Sequence, residues 1–435
     1  MEKLRYGYNK AEYKSFMKGA WRYLLLFSLL YCAHYCTRLN IGNAQVYMTE
    51  FSSEQIGVLS SVLFWTYGIG HLINGRLGEV FGIRRFITLS VILSVICNIF
   101  MSFQTSLVAM AIIWGLNGFF QSMAWSPGVS SLAAWWPGDK RGFATGFANA
   151  FSGFGQVVAT LMVALGFVIL PSLGWRSAFI VPAALPVLML IIYWFFAKAG
   201  PKDVGLKDYE EEDVEKAAHE VEMAQIVKEK GVLYPYFHLL KKPIFWVWIF
   251  VVFASGIARY GLVTWIPKYL NETTELGAII SLLTSTILPI GMGIGTLVVP
   301  ALTDRFCPNN RLWASVVSGS VAALCIIGVA LLNPNDNIQF AVMLVCLFFA
   351  GFFIYAINGT VWAYATDVGG RVFASTASGI LDFAAYMGAA IQAAVYGFIL
   401  GDGNWLVVFI SIAVFCFMIA LISLVSSLNR GIKAS

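Results

Sequence analysis

Charge is scarce in this chain. Only 12% of its 435 residues are Asp, Glu, Lys or Arg, where soluble globular chains carry roughly 25%. No C-x-x-C pair, metal-ligand spacing, nucleotide-binding loop or nucleophile elbow occurs, so metal, cofactor and catalytic readings have nothing to stand on. The seven cysteines (Cys32, Cys36, Cys97, Cys307, Cys325, Cys346, Cys416) lie singly in or beside apolar runs and read as buried small hydrophobes. The first residues, MEKLRYGYNKAEYKSFMKGAWR, lack the short apolar core and small-residue cleavage site of a secretory leader; a basic cytoplasmic tail is expected there. What the chain has in excess is apolar length. Hydrophobic residues make up 59% and the mean hydropathy is +0.76. This excludes disorder, a coiled coil and an ordinary soluble enzyme.

A bilayer-spanning helix needs about 20 apolar residues. Runs of that size fall near 20–47, 54–76, 86–104, 107–136, 142–170, 174–198, 243–270, 276–302, 312–332, 338–366, 371–400 and 404–428. The expected fold is an all-α membrane protein of twelve transmembrane helices in two six-helix bundles. The bundles would occupy 20–198 and 243–428, with tails at 1–19 and 429–435. The linker, 199–242, holds ten of the 23 acids and reads as a solvated connector. Lys and Arg bias sets orientation. Arg176 and Lys268 alone fall on the face opposite the tail, so both termini are expected in the cytoplasm. Two cations escape this scheme: Arg38 and Arg259 lie inside spans.

Each of these arginines sits in the first span of its half. The loops after the second spans also correspond, Gly75–Arg85 against Pro300–Phe306, and the two spacings agree to within about one helical turn. Repeated halves of this kind place a substrate near the bilayer midplane at their interface. The Gly75, Gly78, Gly82 and Glu79 loop reads as a tight gating turn with its acid near arginines.

An arginine mid-span costs on the order of 2.5–3.5 kcal/mol on insertion scales, and its guanidinium cannot shed the charge. Such a group faces a wet cavity or a partner. Tyr31, His34, Tyr35 and Arg38 are spaced to share one helix face, which suits an oxyanion. Two arginines match a phosphate monoester of about −1.5 to −2, held bidentately by guanidinium forks. The one acid well inside a span, Asp382, cannot neutralise both. His71 adds a conditional charge. Tyr386, four residues after Asp382, shares its face, and Tyr67, Asn149, Tyr355 and Asn358 are further polar groups within spans. The Trp125-Ser126-Pro127-Gly128 segment is expected to break or kink the fourth span.

The sequence resembles the major facilitator superfamily over nearly its whole length, and within it the organophosphate:phosphate antiporters, which include glycerol-3-phosphate and hexose-6-phosphate carriers. The likeness rests on Tyr31-x-x-x-Tyr35-x-x-Arg38-x-Asn40, the Gly75–Arg85 loop, and Trp125-x-Pro127 with Trp135-Trp136 and Arg141-Gly142. It continues through Gly174-Trp175-Arg176, Asp203-Val204-Gly205-Leu206, and Arg259-Tyr260-Gly261 with Trp265, Pro267 and Leu270. The resemblance implies two bundles rocking about a central phosphate site. In it, Arg38 and Arg259 match the phosphate-binding arginines, and Tyr31, Tyr35, Tyr355 and Tyr386 match pocket positions. The chain departs from that pattern at His71, where a lysine is common, at Leu39, Ser152 and Asp382, which leaves a less basic site. Expected partners are a small phosphorylated organic anion, inorganic phosphate and the lipid bilayer of an inner (cytoplasmic) membrane, with no nucleic acid and no cofactor. Two alternatives stay open: a cation-coupled symporter of an organic carboxylate, and a transporter-like sugar-phosphate sensor.

Overall fold

The computed structural model describes residues 6–210, 222–223, 225–231, 233–307 and 310–429; of residues 75, 76, 79, 139, 304, 363, 366, 367, 369–372, 374 and 375 it describes the backbone alone. The described chain is helical almost throughout. Eleven segments are long and apolar enough to cross a bilayer. The remaining passage is the first, Lys10–His34, which carries Lys14, Lys18 and Arg22 toward its start and ends early. The protein is therefore an all-α membrane protein of twelve transmembrane helices in two six-helix halves.

That first helix begins earlier than the apolar run at 20, because Asn9 and Glu12 form a capping box around Lys10. It does not continue to 47. It breaks after His34 into a 3-10 turn, Tyr35–Thr37, passes Arg38 and Leu39, and resumes as a short helix, Asn40–Ala44. Short polar side chains cause the break, since they offer the backbone partners outside the helix ladder. Thr37 Oγ1 donates to His34 O at 2.9 Å, and Asn40 Nδ2 donates to Cys36 O at 2.9 Å. The carbonyl of Thr37 then receives two side-chain amides, Asn98 Nδ2 at 2.9 Å and Asn117 Nδ2 at 2.8 Å. In a membrane a broken helix persists only where neighbours re-satisfy its backbone, and here the third and fourth spans do so.

The fourth span also divides, into Leu107–Gln121 and Trp125–Trp135. The break precedes Pro127, which sits in the first turn of the second piece, where a missing N–H costs nothing. The tenth and eleventh spans, separate in the sequence reading, are continuously helical from Asn337 to Gly401. A straight rod of that length would measure about 98 Å. Both of its ends instead lie beside one face of the molecule. Met343 accepts a contact from Tyr269 at 3.9 Å, Gly401 adjoins the Glu54 side chain, and Tyr269 and Glu54 belong to the face where Lys268 meets Ser53. This helical stretch therefore holds two bilayer passages, Asn337–Trp362 and Thr376–Gly401.

The two halves meet along close backbone seams. A Cβ on Gly57 of the second span would stand 2.5 Å from Ala393 O of the eleventh, and one on Gly153 of the fifth would stand 2.7 Å from Gly293 Cα of the eighth. Nearer the tail's face, Trp125 and Trp362 approach with ring centroids 6.1 Å apart. The linker is more structured than a solvated connector: Tyr234–Leu240 is helical, Leu239 is fully buried, and Tyr236 OH donates to Leu72 O at 3.1 Å. Burial raises the Tyr236 phenol above its ordinary range. The gating turn depends on Arg76 and Glu79, whose side chains lie outside the described residues, as do those of Asp304 and Asp367.

Candidate functional site

The break at Tyr35–Leu39 turns Arg38 inward to a fully enclosed position, 2% exposed, and the long seventh span, Pro243–Thr273, does the same for Arg259 at 6%. Between the halves lies a cavity of about 30 Å³, walled by Tyr31, Tyr35, Tyr67, Trp125 and Asn149 from one half. Arg259, Tyr260, Tyr355, Asn358, Trp362, Asp382 and Tyr386 come from the other. This is space for a couple of waters, so a larger ligand requires the walls to part.

Both arginines sit among aromatic rings. Arg38 Cζ is 4.4 Å from the Tyr35 ring centroid, 4.5 Å from Tyr67 and 5.7 Å from Tyr31. Arg259 Cζ is 4.3 Å from Tyr355 and 4.6 Å from Tyr260. Desolvated cation–π contacts of this kind stabilise by about 2 kcal/mol each. Among the described residues no carboxylate lies within ion-pair distance of either guanidinium. One tyrosine joins them: its ring faces Arg38, and its hydroxyl accepts from Arg259 Nη2 at 3.3 Å. Arg38 Nη1 reaches Tyr386 OH at 3.4 Å, and Tyr386 lies 2.8 Å from Tyr260 OH.

The two are not equally placed. Arg259 lines the central cavity and its buried Nε has no partner. Arg38 stands one aromatic layer behind, bordering a smaller space of about 20 Å³ with Leu39, Phe64 and Thr264. Its Nε and Nη2 both donate to Gln121 Oε1 at 3.1 Å, a partner the sequence reading passed over. Gln121 is tied in turn to Thr37 Oγ1 at 2.8 Å. Leaving a buried donor unsatisfied costs about 1–3 kcal/mol, so Gln121→Leu is expected to lower the thermal unfolding temperature in detergent. An unchanged transition would remove Gln121 from the support of Arg38.

Asp382 reaches neither arginine. Its Oδ2 lies 3.4 Å from His71 Nδ1, which is also 3.2 Å from Ser126 Oγ. Asp382 is on the cavity wall, and His71 stands behind it, stacked on Tyr386 at 5.9 Å. Asn149 and Tyr355 link the halves: Tyr355 OH donates to Asn149 Oδ1 at 3.3 Å and bonds Ser152 Oγ, while Asn149 Nδ2 donates to Thr296 Oγ1 at 3.2 Å. Two of the predicted residues, His34 and His71, line neither cavity. His71 still touches the wall through Asp382, whereas the Nε2 of His34 is turned to Ser90 Oγ of the third span at 3.3 Å. At about 100° per residue, His34 and Tyr35 point to opposite flanks of the stripe through Tyr31 and Arg38, and the site took the Tyr35 flank. Tyr260 and Gln121 were missed. Gln121, a primary amide inside a span, was itself a signal of interhelical bonding, and Tyr260 adjoins Arg259.

The sequence profile of the Major Facilitator Superfamily matches residues 26–393. The chain is 26% identical over 426 residues to a probable hexose phosphate transport protein of Chlamydia trachomatis, covering 94% of this chain and 92% of that one. It is 27% identical over 413 residues to a glycerol-3-phosphate transporter of Bacillus subtilis, covering 93% and 91%. Among solved structures, a bacterial homologue of the human lysosomal transporter Spinster, inward-facing and unoccupied, superposes with a TM-score of 0.69 at 16% identity, covering 95% of this chain and 96% of that one. Its twelve helices, its repeated halves and these matches agree: the chain is a member of the major facilitator superfamily.

Proposed function

We propose that this transporter carries a phosphorylated organic anion, of the sugar phosphate or glycerol phosphate type, across an inner membrane in exchange for inorganic phosphate. The observation that carries the reading is the pair of buried guanidiniums, one from each half, joined by Tyr35 and free of any carboxylate among the described residues. Two permanent positive charges in a low-dielectric chamber attract a dianion strongly, and planar forks hold phosphate oxygens in pairs. Relatives named as hexose phosphate and glycerol-3-phosphate transporters support the same cargo.

Alternating access follows from the cavity's position. With the chamber at 30 Å³, a phosphoryl group enters only when one seam opens, and it is enclosed when Arg38 and Arg259 close on it from opposite halves. A ligand drives such a change only through different affinity in the two states; here the clamp exists only when the halves meet. In this reading residues 20–198 and 243–428 rock as two bodies, 199–242 connects them, and both tails face the cytoplasm. The chain then acts as a carrier and not as an enzyme. Proteoliposomes loaded with labelled phosphate test it: external glycerol phosphate or a hexose phosphate is expected to accelerate efflux. Simple carboxylates alone accelerating it would overturn the reading.

Asp382 on the cavity wall, paired with His71, gives substance to the rival, a cation-coupled symporter. Asp382→Asn separates them. Phosphate homoexchange is expected to persist in this variant, whereas a symporter would lose gradient-driven uphill uptake. Loss of uphill uptake with carboxylate cargo intact would favour the symporter.

A further inference from the structure

Away from the central chamber, a second cavity of about 450 Å³ opens where the turn between the second and third spans meets the end of the sixth. It shares no residue with the chamber. Arg84, Arg85 and Lys198 supply its charge, with Phe81 and Trp194 beside them. The Arg84 guanidinium lies over the Trp194 ring at 4.4 Å, and its Nε is buried without a partner. Asp203, also on the wall, is already occupied: its Oδ2 accepts the backbone N–H of Ala199 at 2.8 Å and of Gly200 at 3.3 Å. Among the described residues no carboxylate comes within ion-pair distance of Arg84, Arg85 or Lys198. Three cations therefore converge on one hollow, and no acidic group of the described chain answers them.

The position says what answers them. Two apolar spans, Ile83–Met101 and Pro171–Phe196, end at this cavity, on the same face as the N-terminal tail. Its rim is apolar and outward: Phe81 is 61% exposed and Trp194 41%. Aromatic and basic side chains grouped at the end of a span mark the boundary between hydrocarbon and water. Basic pockets between transmembrane helices at that level suit phosphate-bearing headgroups.

We propose that this cavity holds the headgroup of an anionic phospholipid. Its phosphate lies among Arg84, Arg85 and Lys198, and its acyl chains run past Trp194 along the lipid-facing surface of the third and sixth spans. A guanidinium fork and an ammonium both match phosphodiester oxygens, and the net positive wall discriminates against zwitterionic lipids. A freely dissolved phosphate has the same oxygens, yet it would leave the exposed aromatic rim without an occupant. None of its residues touches the central cavity, and Arg84 and Arg85 close the Gly75–Arg85 turn between the second and third spans.

Native mass spectrometry of the full chain, purified in detergent and titrated with phosphatidylglycerol or phosphatidylcholine, tests the assignment. Each basic group at a membrane surface changes affinity for anionic lipid by about fivefold. R85Q is expected to weaken phosphatidylglycerol binding by about that factor and to leave phosphatidylcholine unchanged. The triple variant R84Q/R85Q/K198Q is expected to lose the selectivity altogether. R85Q spares the Arg84–Trp194 stack, so it reads out the site even if the triple variant does not fold. Equal phosphatidylglycerol binding by wild type and R85Q would overturn the proposal. So would displacement of the lipid by inorganic phosphate at comparable concentration, which would make the hollow a site for a soluble oxyanion.

Discussion

Arg259→Lys is expected to reduce counterflow of labelled phosphate by about 100-fold, while the protein still purifies as a folded species. The size of the effect follows from how Arg259 is held. Of its five N–H groups, Nη2 donates to Tyr35, and the buried Nε finds no protein acceptor. A phosphoryl group would complete that set. Hydrogen bonds to charged groups contribute about 1.5–3 kcal/mol each, and an ammonium point charge keeps the attraction but loses the paired geometry. Losing one such bond near the upper end of that range accounts for a factor near 100. Arg38→Lys is expected to be as damaging for a different reason, since it also strands Gln121 Oε1, which accepts from Nε and Nη2 together. Folding is expected to survive in both, because lysine retains the charge and lies among the same tyrosine rings. Near-normal exchange by Arg259→Lys, measured in proteoliposomes, would mean that the phosphate is held elsewhere.

The spans and the arginine pair were legible in the sequence because both are signals of composition. A run of some 20 apolar residues has few alternatives to crossing the bilayer, and a guanidinium inside such a run demands a reason. What was not legible is what depends on distant partners. The break that aims Arg38 is stabilised at the Thr37 carbonyl by Asn98 and Asn117, 61 and 80 residues further along. Those amides read only as polar residues within their own spans until the fold brings them together. His34 shows the limit of helical spacing, which names a stripe but not which flank of it meets the cavity. Asp382 was legible as the only acid well inside a span. Its choice of His71 over the arginines depends on how the second and eleventh spans register against each other, which no local pattern encodes. The linker helix escaped because seven residues, Tyr234–Leu240, are too few for periodicity to separate from a connector.

Two glycine substitutions with similar steric clashes are expected to fail in opposite ways. A Cβ on Gly256 of the seventh span would stand 2.0 Å from Ala385 O of the eleventh, within one half. A Cβ on Gly57 would stand 2.5 Å from Ala393 O and 3.0 Å from Gly397 Cα, across the seam between halves. Overpacking a filled interior costs about 1–3 kcal/mol and more where backbone must move. In Gly256→Val the cost falls on the packing of a half against itself, and no monodisperse protein is expected on size exclusion. In Gly57→Val the halves can instead stay apart at the Lys268 face, where Ser61 Oγ now donates to Ala390 O at 2.8 Å. That variant is expected to fold but to lose transport, because its chamber no longer closes on that side. Accessibility measures the difference. A cysteine at Ser60, 5% exposed in the closed seam, should react several-fold faster with a membrane-impermeant maleimide when Gly57→Val is also present. If Gly57→Val carried cargo at the normal rate, or unfolded as Gly256→Val does, the seam would be ordinary packing, and the rocking of two halves would lose its hinge side.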